Sequence, residues 1–105
     1  MLPPKNRLLL KNNKRKELTQ RVTGHWFTLL FNKKDEKSLS AAIIVSKKIA
    51  PRAVDRNRIK RVVSESLKNK LETGADMIII VKTNIANLKN NEITEKINDL
   101  FIKLK

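Results

Sequence analysis

The chain has 105 residues, with 24 Lys and Arg against 10 Asp and Glu, one His and no Cys, for a formal net charge of +14. That length fits one domain with a modest core, and the missing cysteines exclude a disulfide framework, a thiol nucleophile and, with a lone His25, a zinc site. A globular, strongly basic domain with a polyanionic partner is what remains.

Residues 1–12 read as an irregular basic arm, because Pro3 and Pro4 forbid regular pairing. A short helix is predicted over Asn13–Val22, with Leu18 and Val22 at i, i+4 and Gly24 placed to stop it. His25–Phe31 reads as a strand, with Phe27, Leu29 and Phe31 alternating against Trp26, Thr28 and Leu30 and assigned to the core. A polar loop, Asn32–Lys37, leads to Leu39–Ser46, a strand or strand pair whose Ala41–Val45 run predicts burial on both faces.

Beyond Pro51 comes the strongest helix signal, from Val54 to Leu71. Val62, Val63, Ser66 and Leu67 fall within about 80° of Ile59, while Asn57, Arg61 and Lys68 lie opposite and Lys60 at the flank. Thr73-Gly74 is expected to end it, and Met77–Lys82 to follow as a buried strand. A last helix starts near Asn91, with Ile93, Ile97, Leu100, Phe101 and Leu104 on one face and Asn90-Asn91 as its capping side chains. The order αβββαβα gives an α+β fold, a single-domain sandwich over residues 1–105 with one central sheet of about four strands packed by helices. The apolar runs are far too short to span a bilayer, and the three-Leu stretch near the start is not expected to be a secretory signal. A cytoplasmic domain with no membrane and no disulfide partner is expected.

The charge is uneven along the chain. Residues 71–105 are electrically neutral, so the whole excess lies in residues 1–70, mostly in two clusters at Lys5–Arg21 and Lys47–Arg61. Clustering of this kind is the footprint of nucleic-acid binding rather than of solubility alone. No catalytic protein residue is predicted: His25 has no partner group, the serines lie in no nucleophile motif, and two glycines cannot build a phosphate loop. Glu92, Glu95 and Asp99 share the polar side of a helix, with spacing unsuited to a metal site.

The most informative stretch is Val45 to Arg61, which runs a buried strand into a basic loop and then a basic helix N-terminus. Backbone N–H groups, the helix dipole and guanidinium forks there favour phosphate, and Asn57 adds an amide able to read a base edge or a 2′-hydroxyl. Arg58→Ala and Arg61→Ala are expected to weaken RNA binding with the melting temperature nearly unchanged, and Val63→Ala to lower it. A structural rRNA-binding protein is a second reading of the same composition; a helix-turn-helix is poor, since strands flank the basic helix.

This stretch resembles the protein subunit of bacterial ribonuclease P. The resemblance rests on Arg56-Asn57-Arg58, continued by Ile59-Lys60-Arg61 and preceded by Val45-Ser46-Lys47-Lys48, with Arg7-Leu8, Phe27-Thr28-Leu29, Met77–Val81 and the closing helix in order. It implies a fold similar to a small-subunit ribosomal protein domain, with a left-handed crossover through the Arg56 helix. It further implies a non-catalytic RNA-binding component of an endoribonuclease: the catalytic RNA, with Mg²⁺ bound mainly by that RNA, removes the 5′ leader of precursor tRNA. By the same resemblance, Lys47, Lys48, Arg52, Arg56, Asn57, Arg58, Lys60 and Arg61 would bind RNA. Leu18, Val22, Trp26, Leu30 and Ser46 would line the leader cleft, where the family usually places aromatics; Trp26 keeps a core reading beside the cleft one.

Overall fold

The computed structural model describes residues 18–103, so the expected arm, the Arg7-Leu8 match, most of the first predicted helix and Leu104 lie outside it. The elements are β1 (Gln20–Thr23), β2 (Phe27–Lys33), β3 (Leu39–Ile44), α1 (Ala53–Ser66), a 3₁₀ turn at Lys68–Lys70, β4 (Ala75–Val81) and α2 (Asn90–Ile102). They form one four-stranded sheet in the order β1-β2-β4-β3. β1 and β4 run antiparallel to β2, and β3 runs parallel to β4, with α1 as the crossover between them. This is an α+β domain with a single sheet, as the sequence predicts. No helix among the described residues is long and apolar enough to cross a membrane.

β4 sits second from one edge, paired on both sides, and its residues reach both faces of the sheet. On one face Phe27, Leu29 and Phe31 of β2 join Ala41 of β3 and Met77, Ile79 and Val81 of β4 against Ile59, Val62, Val63 and Leu67 of α1 and Ile93, Ile97 and Leu100 of α2. Fully burying each such aliphatic side chain contributes roughly 1.5–3 kcal/mol before the entropy of ordering it is subtracted. The other face is turned away from α1 and α2 and carries a smaller buried apolar group: Leu18, Leu30 and Ile78, with the partly buried Ile44 and Ile80 at its border.

Several expectations are corrected. Residues Gln20–Thr23 form a strand, not the end of a helix, because their backbone pairs with β2 through Val22↔Leu29 and Thr23↔Thr28. The ladder outweighs a helical signal that rested on one i, i+4 pair. Leu39–Ile44 is one strand, and at the sheet edge its Ala42, Ile43 and Ile44 are only partly buried; the strand buried on both faces at its centre is β4. β2 starts at Phe27 and continues through Asn32 and Lys33, held by the pairs Asn32↔Asp76 and Lys33↔Ala75. α1 ends at Ser66 rather than Leu71, and the 3₁₀ turn carries the chain on. α2 has Lys89 as its N-cap with no side-chain capping hydrogen bond, so Asn90 and Asn91 belong to its first turn.

Candidate nucleic-acid interface

The basic stretch is assembled from the end of β3 outwards. Val45 is buried, and after it the Ser46 carbonyl accepts from the N–H groups of Ile49 (3.2 Å) and Ala50 (3.0 Å). The Ser46 hydroxyl accepts from the Ile49 N–H as well (3.3 Å). This tight turn leaves Ser46, Lys47 and Lys48 exposed at its tip, while Ala50 is fully buried and anchors the return. Arg52, in extended backbone, precedes α1, and its carbonyl accepts from the Asp55 and Arg56 N–H groups.

On α1 the predicted apolar stripe is the observed one, with Ile59, Val62, Val63, Ser66 and Leu67 buried. Arg52, Asn57, Lys60 and Arg61 are exposed. Together with Lys47 and Lys48 they form no hydrogen bond or ion pair with described residues through their side chains. Unpaired cations on one helix face and its leading turn make a surface that favours phosphate.

The two flanking arginines of Arg56-Asn57-Arg58 behave otherwise. Arg56 Nη1 donates to the carbonyls of Ala50 (2.9 Å) and Pro51 (2.8 Å), tying the helix to the turn that precedes it. Arg58 Nε donates to the Ala86 carbonyl, and its Nη2 to the Leu88 carbonyl (3.1 Å) and Asn90 Oδ1 (3.4 Å). Arg58 therefore joins α1 to the connection between β4 and α2. The helical projection puts Arg58 on the flank of α1, about 100° from Ile59, but only the packed structure shows backbone carbonyls beside it. The expectation that Arg58→Ala leaves stability nearly unchanged is corrected accordingly.

The residues assigned to a cleft divide between the two sheet faces. Leu18 and Leu30 meet, buried, beside Ile78 on the face turned away from the helices. Val22 pairs with Leu29 and so points to the helix-covered side. Trp26 also packs against the helix-side core, with Lys96 Nζ 5.6 Å from its ring centroid. Neither Val22 nor Trp26 lines the surface around Leu30, and Ser46 lies beyond the end of β3. Sequence reasoning missed Ile44, Ile78 and Ile80 there, although the unbroken apolar run of β4 requires alternate residues to face away from the helices. It also missed the half-buried Lys34–Asp76 ion pair (2.9 Å), which Ser40 Oγ extends by accepting from Lys34 Nζ (3.3 Å). His25, Glu92, Glu95 and Asp99 are exposed, and a cavity of about 490 Å³ lined by Phe31, Lys70, Asn98 and Phe101 lies past the far end of α1 from the basic turn.

A profile of the ribonuclease P family matches residues 3–105. The ribonuclease P protein component of Coxiella burnetii is 31% identical over 88 residues, covering 82% of this chain and 73% of that protein. The Legionella pneumophila (strain Lens) component is 33% identical over 88 residues, covering 84% and 77%. Among solved structures, the ribonuclease P protein of Thermotoga maritima superposes with a TM-score of 0.80 at 21% identity, over 94% of this chain and 97% of the other. That of Staphylococcus aureus gives 0.81 at 24% identity, over 95% of each. The four-stranded sheet with its crossover helix is thus the fold of those proteins. Match and fold together place the chain in the ribonuclease P protein family, the protein components of a tRNA-processing endoribonuclease.

Proposed function

We propose that this chain is the RNA-binding subunit of ribonuclease P, assisting a catalytic RNA in removing the 5′ leader from precursor tRNA without supplying catalytic residues of its own. The observation that carries the reading is the run of exposed side chains, unpaired among the described residues, at Lys47, Lys48, Arg52, Asn57, Lys60 and Arg61 on one turn and one helix face. These residues contact the RNA directly, with Asn57 as the amide that can address a base edge or 2′-hydroxyl. Arg56 and Arg58 add charge to the same surface but act chiefly by holding its backbone.

The single-stranded leader lies along the sheet face turned away from α1 and α2. Leu18, Leu30 and Ile78 are buried beneath its floor, the partly buried Ile44 and Ile80 offer the apolar contact, and Ser46 marks the end nearest Lys47. None of the aromatic rings among the described residues reaches this floor, since Phe27, Phe31, Phe101 and Trp26 pack on the helix side. Base stacking on aromatics contributes about 1–3 kcal/mol per base, so aliphatic contact gives this chain a weaker, less base-selective hold on the leader. The described residues bring no three His, Cys, Asp or Glu side chains together as a cation site, and the proposal leaves Mg²⁺ with the RNA partner.

The test is cleavage of a 5′-leader precursor tRNA by ribonuclease P RNA from the same source, at low Mg²⁺, with and without the chain. Cleavage at the mature 5′ end that depends on the protein is the expected result. No stimulation by folded protein would overturn the reading in favour of a structural RNA-binding role.

A further inference from the structure

Arg58 is an exposed charged side chain in the middle of the basic motif, yet its guanidinium is engaged by Ala86, Leu88 and Asn90. Three acceptors on one short segment call for the rigid donor fork of arginine; a lysine ammonium cannot span them in the same plane. The segment so held, residues 82–89, is fixed from below as well. Ile85 and Ala86 are buried in the main core and Leu88 packs against it, while Asn84 Oδ1 accepts from the Ala86 N–H (3.2 Å). Between these anchors Asn87 and Lys89 are exposed, and their side chains have no hydrogen bond or ion pair among the described residues. They stand in a segment bonded directly to α1, whose Asn57 and Arg61 flank the clamp in sequence and are exposed.

We propose that the RNA-binding surface continues from α1 onto the β4–α2 connection, with Asn87 and Lys89 as RNA contacts and Arg58 as the positioning residue that holds them beside the basic helix. The inference rests on the RNA-binding reading above and extends it to residues outside the basic cluster. Residues 71–105 carry no net charge, so Lys89 gains its place in the interface from tertiary structure rather than from local charge density. An amide and an ammonium two residues apart suit a ribose–phosphate backbone: the ammonium meets a phosphate oxygen, and the amide a 2′-hydroxyl or the next phosphate.

The experiment is a salt titration of binding between the full chain and ribonuclease P RNA. Lys89→Ala is expected to weaken binding about tenfold, the loss of one charge-assisted hydrogen bond, and to make the log–log salt slope shallower by about 1. Lys103→Ala, an exposed lysine at the far end of α2, should leave both unchanged. Arg58→Lys keeps the charge and removes the fork, so positioning is read from a double-mutant cycle. In the Arg58→Lys background the effect of Lys89→Ala should shrink to less than about twofold, while that of Arg61→Ala keeps its full size. A purely structural role for Arg58 would diminish both effects alike or neither, and that result overturns the positioning claim. If Arg58→Lys fails to fold, Asn90→Ala removes one of the three acceptors and replaces it in the cycle. Tight binding by the wild-type chain with Lys89→Ala unchanged sinks this inference alone. No binding by the wild-type chain removes the RNA-binding reading and this extension together.

Discussion

Two residues three positions apart on α1 show how little a helical projection says about a side chain's work. Arg61 is exposed and unpaired among the described residues, whereas Arg58 donates to three acceptors, two on the β4–α2 connection and one at the start of α2. Charge-assisted hydrogen bonds contribute about 1.5–3 kcal/mol each where they are well made, and partial exposure reduces that. Arg58→Ala should therefore cost about 2 kcal/mol in all, seen as a fall of roughly 10 °C in Tm in a scanning calorimeter. Arg61→Ala should stay within about 0.5 kcal/mol of wild type and show its effect only in RNA affinity. Lys70 supplies a pH test at the same scale. Desolvation by burial lowers its pKa below the ordinary lysine value of 10.5, with the ammonium over the Phe101 ring. The folded state then binds that proton less tightly than the unfolded state. Stability should rise with pH through the interval from the lowered value up to 10.5. Urea titrations across the alkaline range should show that rise in wild type and a smaller one in Lys70→Gln.

At the scale of elements, backbone pairing explains where the sequence reading and the structure part. Leu18 and Val22 have helical spacing, but Gln20–Thr23 can complete the free edge of β2, and a ladder of backbone hydrogen bonds there outweighs one side-chain pair. The apolar run Ala41–Val45 reads as doubly buried, but β3 lies at an edge and only the centre of β4 is covered on both faces. α1 was legible because its stripe of Ile59, Val62, Val63 and the C-cap Leu67 keeps one helical period through the second half of the helix. The turns that join elements discriminate between glycines. A Cβ at Gly74 would stand 2.6 Å from the Lys34 carbonyl oxygen and 2.8 Å from that of Glu36, both backbone atoms of the β2–β3 loop. At Gly24 the closest atom is Leu100 Cδ2, at 2.8 Å, the end of a side chain that can rotate away. Gly74→Ala should thus cost about 2–3 kcal/mol and Gly24→Ala about 1 kcal/mol, with chemical denaturation separating the two.

At the scale of the molecule, a single sheet has one face filled by two helices and a smaller buried apolar group on the other, and Lys47, Lys48, Arg52, Lys60 and Arg61, exposed and without partners among the described residues, gather on the crossover helix and its leading turn. If Lys47, Lys48, Arg52, Lys60, Arg61 and Lys89 each neutralise a phosphate, the log of the RNA affinity should fall against log salt with a slope of roughly −4 to −5. Filter binding at a series of potassium concentrations measures it, and a slope near −2 would mean that most of these side chains stay in solvent. The sequence by itself determined the fold class, the apolar stripe of α1 and the polyanionic partner, because periodicity and net charge are properties of the chain that survive any packing. It also carried the family resemblance in the run from Val45 to Arg61. Only the tertiary structure decided that Val22 and Trp26 face away from Leu30, that Arg56 and Arg58 clamp backbone, and that Lys89 stands beside the basic helix. Those outcomes depend on which carbonyls and which sheet face come within hydrogen-bonding or van der Waals reach, and contacts between residues about 30 positions apart leave no periodic trace in the sequence.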